Sequence, residues 1–176
     1  GTVKLHGTNA AVCQYFDPKS DVGTWVQSRS NVITPESDNA GFASFVKANE
    51  KEIGELFDST RDWLEGNPLA QKENIIGIYG EWCGAGVQKG VAISQLPKMF
   101  VIFAIAIIDA SKIDDNGNVQ YTWLSREDVE AIFHIDFDFG PSIKCIFDFD
   151  TWEIDIDFNS PEQVQNQLGR FTEEVE

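Results

Sequence analysis

"IIGIYGEWCGAGVQ", residues 75–88, decides how this chain is to be read. Ile75, Ile76, Ile78, Tyr79 and Trp82 are β-branched or aromatic and suit a pleated, half-buried surface, so the segment predicts a strand. The strand runs into Gly84 and Gly86, where a turn exposes backbone N–H groups to a ligand. Glu81 ends the apolar run just before that turn. Taken alone, it reads as a charged residue on the rim of a β-turn.

The flanking segments supply more strands. "FVIFAIAII" (100–108) is the longest apolar run and fits a buried strand, being too short to cross a membrane as a helix. "VQYTWL" follows Asp115-Asn116-Gly117-Asn118, a hairpin signal. At the other end, "GTVKLHGTNAAV" (1–12) predicts a strand through Val3, Leu5, Ala11 and Val12, broken at Gly7, where another group can approach the backbone. "NAAVCQYF" and "GTWVQSRS" predict two strands joined by a turn from Asp17 to Gly23. "CIFDFDTWEIDIDF" (145–158) alternates apolar and acidic residues and predicts a half-buried strand.

Three helical stretches complete the pattern. From Ser37 to Leu64 the apolar residues recur at three- and four-residue steps, which predicts an amphipathic helix, or two with a bend near Gly54, ended by Gly66-Asn67-Pro68. Ser125 is placed to cap a short helix through Phe133, with Asp128 at its third position. Ser160 as cap and Pro161 at the first helical position start a last helix. Strands and helices do not alternate regularly, so the fold class expected is α+β, with largely antiparallel sheets and flanking helices. No repeat or linker divides the chain, and one domain over 1–176 is expected.

Composition narrows the function. Cys13, Cys83 and Cys145 are an odd number at wide spacing, which points to a reduced, intracellular setting. With only His6 and His134 beside them, a zinc cluster is disfavoured. The formal net charge of −16 argues against a broad nucleic-acid-binding surface, so a polyanion needs a local cluster of cations. "DDNGN" (114–118) lacks the glycine and the bidentate glutamate of a calcium loop, and reads as a turn. "DFG" at Asp138–Gly140 has no accompanying kinase motif and reads as chance. Asp148, Asp150, Asp155 and Asp157 read as a solvated strand face. "KEIG" (51–54) sits inside a helical pattern and carries no chemistry, whereas "KLHG" (4–7) stands on a strand and continues into Thr8-Asn9.

Four segments in order, "KLHGTN" from Lys4, "SRS" around Arg29, "YGEWCGAGVQKG" around Glu81 and "FVIF" ending at Phe103, resemble the nucleotidyltransferase motifs of ATP-dependent RNA ligases. The likeness is to the RNA ligase 2 type, which seals nicked RNA duplexes in RNA repair. DNA ligases and capping enzymes usually carry Lys-x-Asp-Gly instead of the HGTN continuation. The resemblance covers Lys4 to Phe103 and implies a ligase adenylation domain. It makes Lys4 the nucleophile that attacks the α-phosphate of ATP, with His6 assisting departure of pyrophosphate. Asn9 would orient the phosphate, Arg29 would reach the sugar and phosphate, Glu81 would accept from the ribose hydroxyls, and Phe103 would stack on adenine. Magnesium is implied for charge neutralisation, and the ends of a nicked RNA duplex as partners, with no membrane. A free lysine, with a pKa of about 10.4, is nearly all protonated at neutral pH, so the reaction needs neighbouring cations or desolvation to expose the neutral amine.

The chain departs from the pattern in places. Val3 stands where a glutamate often precedes the lysine, and Ala104 where an aspartate often follows the aromatic. The later Glu-Gly motif is missing, since Glu65-Gly66 comes too early, and no Lys-x-Lys occurs. With Met99 the sole methionine, the expectation is an N-terminal fragment with an incomplete fold that seals RNA negligibly. Two rival readings stand beside the ligase. One is a non-catalytic nucleotide- or protein-binding module of the same fold, and the other a capping-type guanylyltransferase.

Overall fold

The computed structural model describes every residue except 1–3, 18, 20–22, 114–118, 134–138, 151–156, 158 and 176. Contacts divide the chain into two units, Leu5–Cys145 and Gly1–Lys4 with Ile146–Glu176. The first holds strands β1 (Gly7–Tyr15), β2 (Thr24–Ser28), β3 (Val32–Ile33), β4 (Ile75–Cys83), β5 (Met99–Ile113), β6 (Val119–Trp123) and β7 (Ile143–Cys145), with helices α1 (Phe42–Ala48), α2 (Glu50–Trp63) and α3 (Arg126–Phe133). The second holds a 3₁₀ turn at Ile146–Asp148 and helix α4 (Pro161–Val175).

The strands form one sheet in the order β3-β2-β1-β4-β5-β6, and β7 lies beside the first part of β5. Among the described residues every strand pairing is antiparallel except β5 with β7. The class is therefore α+β on a mainly antiparallel sheet, as the irregular order of elements implied. β5 is long enough to pair with β4 from Met99 to Ile108, with β7 at its start and with β6 at its end.

Side-chain alternation gives the sheet two unlike faces. On one, α1 packs its aromatic residues against the sheet: Phe42 lies 5.4 Å from Trp82 and 4.8 Å from Phe100, and Phe45 lies 4.7 Å from Trp82. Register places Phe100, Ile102, Ile105 and Ile107 of β5 opposite Trp82, Gly80, Ile78 and Ile76 of β4, all fully or almost fully buried there. The other face carries Asn9, Ala11 and Cys13 of β1 opposite Glu81, Tyr79 and Gly77 of β4. Gly77 makes room for the Tyr79 ring, which would lie 2.6 Å from a Cβ at that position.

Three readings need correction. The helical stretch breaks at Asn49 and not at Gly54. The Asn49 side chain donates to the Phe45 carbonyl at 2.8 Å, and its backbone N–H reaches Phe45 and Val46, which closes α1; Gly54 remains helical within α2. The strand expected from Cys145 stops at once: β7 ends at Cys145 and Ile146–Asp148 is a 3₁₀ turn, while 151–156 and 158 of the expected strand lie outside the described residues. Lys4 precedes the first strand instead of standing on it, because β1 starts at Gly7. The turn at 114–118, Asp138, His134 and Val3 also lie outside the described residues.

Several local readings hold. Ser125 and Asp128 cap α3 reciprocally: the Asp128 N–H donates to the Ser125 hydroxyl at 3.1 Å, and the Ser125 N–H to the Asp128 carboxylate at 3.1 Å. Gly66 takes a positive φ of 77° just past α2, and α4 begins at Pro161. Among the described residues, no helix is long and apolar enough to cross a membrane.

Candidate nucleotide site

The corner between β1 and β4 is built around Gly7. A Cβ there would lie 2.2 Å from the Trp82 carbonyl oxygen and 2.9 Å from its carbon, so only glycine lets the strands approach this closely. Its N–H donates to Glu81 Oε1 at 2.8 Å, and its carbonyl accepts from Gln88 Nε2 at 3.1 Å. Glu81 and Gln88 both belong to the 75–88 stretch, so the strand and the glycine-rich turn after it hold the same residue from two sides. Gly84 opens that turn at φ 108°, and a Cβ there would sit 2.4 Å from the Pro97 carbonyl oxygen. The Ala85 N–H to Leu96 carbonyl bond, at 2.9 Å, closes the loop.

Sheet register then gathers three of the residues singled out in the sequence. Asn9 pairs with Glu81, and Glu81 pairs with Val101 on the other side. Ala10 pairs with Ser28, so continuing the register one place puts Arg29, just past the end of β2, opposite Asn9. The turn after β2 is tied by the Ser28 N–H to the Asn31 carbonyl at 2.8 Å, and Arg29 is exposed in it. Arg29, Asn9, Glu81 and Val101 thus form a row across the sheet.

Phe103 owes its position to a β-bulge. Gly80 pairs with Ile102 and Tyr79 with Ala104, which leaves Phe103 as the extra residue with no partner on β4. A bulge of this kind re-aims a side chain. Ile102 is fully buried, whereas Phe103 is 39% exposed and lies two places along β5 from Val101, the partner of Glu81. Glu81 and Phe103 therefore share a face despite their separation in sequence. His6 is exposed immediately before β1. Lys4, exposed and grouped with Ile146–Glu176, has no place in this register.

Electrostatics sort the remaining candidates. Burial, and after it the charge of Glu81, pushes the Cys83 thiol up to about 11. Burial alone takes Cys13 to about 12. Both stay protonated at neutral pH and are unsuited to act as nucleophiles. Burial also raises the Tyr79 phenol, whose hydroxyl has no hydrogen-bond partner among the described residues. No group of three or more His, Cys, Asp or Glu among the described residues could hold a metal ion.

A cavity of about 630 Å³ lies elsewhere, on the helical side, between β2–β3 and α1–α2, with Val26, Ile33, Val46 and Ile53 in its walls. None of the six residues drawn from the resemblance lines it. The sequence reading missed two features of the site: the Gly7 N–H as the partner of Glu81, and Gln88 as the clamp on its carbonyl. Gln88 sits within the quoted turn, but a long-range contact to Gly7 leaves no mark on local pattern. No curated protein matches the chain. The family model for RNA ligase matches residues 1–171, nearly its whole length, and the chain belongs to the RNA ligase family.

Proposed function

We propose that this RNA ligase is ATP-dependent and acts through a lysyl-AMP intermediate. The observation that supports the reading is the row Arg29–Asn9–Glu81 with Phe103 at the adjacent bulge. It offers a ring for a base, a carboxylate for ribose hydroxyls and polar groups for phosphate on one face. A carboxylate suits the ribose because it only accepts hydrogen bonds when ionised. In the free protein the Gly7 N–H occupies one of its oxygens, which fixes the carboxylate's aim before any ligand arrives.

The chemistry assigned to Lys4 runs in three balanced steps. Its amine, after losing a proton, attacks the α-phosphorus of ATP; the new P–N bond replaces the bond to pyrophosphate, whose departure His6 assists. The AMP then passes to the 5′-phosphate of an RNA end, releasing the lysine. The 3′-hydroxyl of the neighbouring end attacks that phosphate, and AMP leaves as the phosphodiester forms. The RNA substrate proposed is a nicked duplex. Magnesium, when bound with ATP, would supply charge neutralisation at the phosphates.

Incubation with α-labelled ATP or GTP, followed by denaturing electrophoresis, tests the reading. The expected result is a covalent band from ATP that disappears in Lys4→Ala and persists in Lys51→Ala. A label surviving Lys4→Ala would sink the assignment, and a band from GTP alone would favour the guanylyltransferase. Sealing by these 176 residues is expected to be negligible, because no Lys-x-Lys supplies the charge-assisted phosphate contacts that are the strong ones. Robust joining of a nicked RNA duplex would overturn that expectation.

A further inference from the structure

The same row continues one strand further, to a residue that no motif singles out. Val101, the partner of Glu81, pairs on its other side with Lys144 of β7. Partners in register share a face, so Lys144 stands on the face of Glu81 and Asn9 while its neighbours Ile143 and Cys145 are buried on the other. Two strand spacings separate Lys144 from Glu81, about 10 Å between backbones. The four-carbon stem of a lysine is long enough to cross most of that gap. Lys144 is half-buried and makes no ion pair among the described residues.

We infer that Lys144 is a phosphate-binding residue of the nucleotide site, meeting the anionic part of ATP from the side opposite Arg29. This rests on the proposed nucleotide reading. A polyphosphate beside the Glu81 carboxylate, in a chain of net charge −16, needs a local cation, and the sheet places one at each end of this row. An ammonium serves as a compact point charge for phosphate without demanding a bidentate geometry. Local pattern could not find it, because "SIK" resembles any solvated lysine at a strand edge, and only the parallel pairing of β7 brings it to the row.

The test is calorimetric titration of the 176-residue chain with ATP, AMP and adenosine, in the native protein and in Lys144→Met, Lys144→Arg and Phe103→Ala. Lys144→Met is expected to lose roughly tenfold in affinity for ATP, less for AMP, and nothing for adenosine, with Lys144→Arg retaining most of the ATP affinity. Unchanged adenosine binding also reports an intact pocket, and Lys144→Gln is a second variant judged by the same criterion. An equal loss for adenosine would place the lysine at the base or sugar and overturn the proposal, as would no loss for ATP. If Phe103→Ala weakens all three ligands while Lys144→Met weakens none, this proposal alone falls. If the native chain binds neither ATP nor adenosine, the nucleotide reading falls and takes this one with it.

Discussion

The chain contains Lys-x-x-Gly twice, and the two copies have opposite settings. In "KLHG" the glycine opens β1, meets the Trp82 backbone so closely that a Cβ would lie 2.2 Å from its oxygen, and gives its N–H to Glu81. In "KEIG" the glycine sits in the interior of α2, and a Cβ there would meet nothing within 4 Å. The letters are the same, but only the first glycine is required by its neighbours. What separates a motif from a coincidence here is the partner across the sheet, and that partner is visible only in three dimensions.

The contrast is broken most sharply at Gly7. In Gly7→Ala the added methyl collides with backbone on a central strand, which cannot rotate aside as a side chain would. Overpacking commonly costs about 1–3 kcal/mol, and a loss at the upper end is expected, with β1 displaced from β4 and the bond to Glu81 broken. Chemical denaturation gives the stability change, and covalent labelling gives the loss of activity. A fully stable, fully active variant would show that the close approach does not matter.

Phe103 carries the next largest effect, and it separates binding from stability. A ring under a base is worth about 1–3 kcal/mol, so Phe103→Ala should weaken ATP at least several-fold. The ring is 39% exposed and unpaired on β4, so the melting temperature should move little. A large drop in melting temperature with unchanged ATP affinity would make Phe103 a packing residue.

How much of this was legible from sequence follows from the range of each interaction. Period and capping are local, so β4, the long apolar β5, the Ser125–Asp128 cap and the start of α4 could be read directly. The family motifs named Asn9, Arg29, Glu81 and Phe103 without showing that one row and one bulge would bring them together. The helix break was misplaced because glycine is a weak helix residue on average, while the actual break depends on how the Asn49 side chain bonds back to Phe45. The 3₁₀ turn at Ile146–Asp148 was not foreseen because alternation alone does not show where a short turn interrupts a strand. Lys144 could not be found at all, since its placement follows from the parallel pairing of β7 with β5.

A smaller effect concerns α1, the helix just before the one that holds the second copy. Asp38 accepts from the N–H groups of Ala43 and Ser44 at 2.7 and 2.9 Å, satisfying donors at the start of α1. Burial alone would raise its carboxyl, but the bonds from Ser44 and Ala43 outweigh it and hold the group below its ordinary value. A depressed carboxyl contributes stability that is complete above the unfolded value of about 3.9 and is lost as pH falls through the folded one. Asp38→Ala should lose about 1 kcal/mol at neutral pH. Asp38→Asn should keep most of the cap but flatten the pH dependence below about 4, which melts at several pH values would show.

The smallest effect is expected at Gly54, and it has the opposite sign. Glycine in a helix interior is less favourable than alanine by about 0.5–1 kcal/mol, because the unfolded chain loses more freedom on folding. At Gly54 the φ is helical and no atom lies within 4 Å of the missing methyl, so Gly54→Ala meets no opposing clash. The position lines the cavity between the sheet and the helices, where an added methyl can only fill space. For a chain of this length, the gain corresponds to a rise of about 2 °C in melting temperature. Covalent labelling should be unchanged, since the second Lys-x-x-Gly takes no part in the reaction assigned to the first. A destabilised Gly54→Ala would mean that the cavity needs its full width. A labelling defect would mean that "KEIG" carries chemistry after all, and the contrast between the two copies would fail.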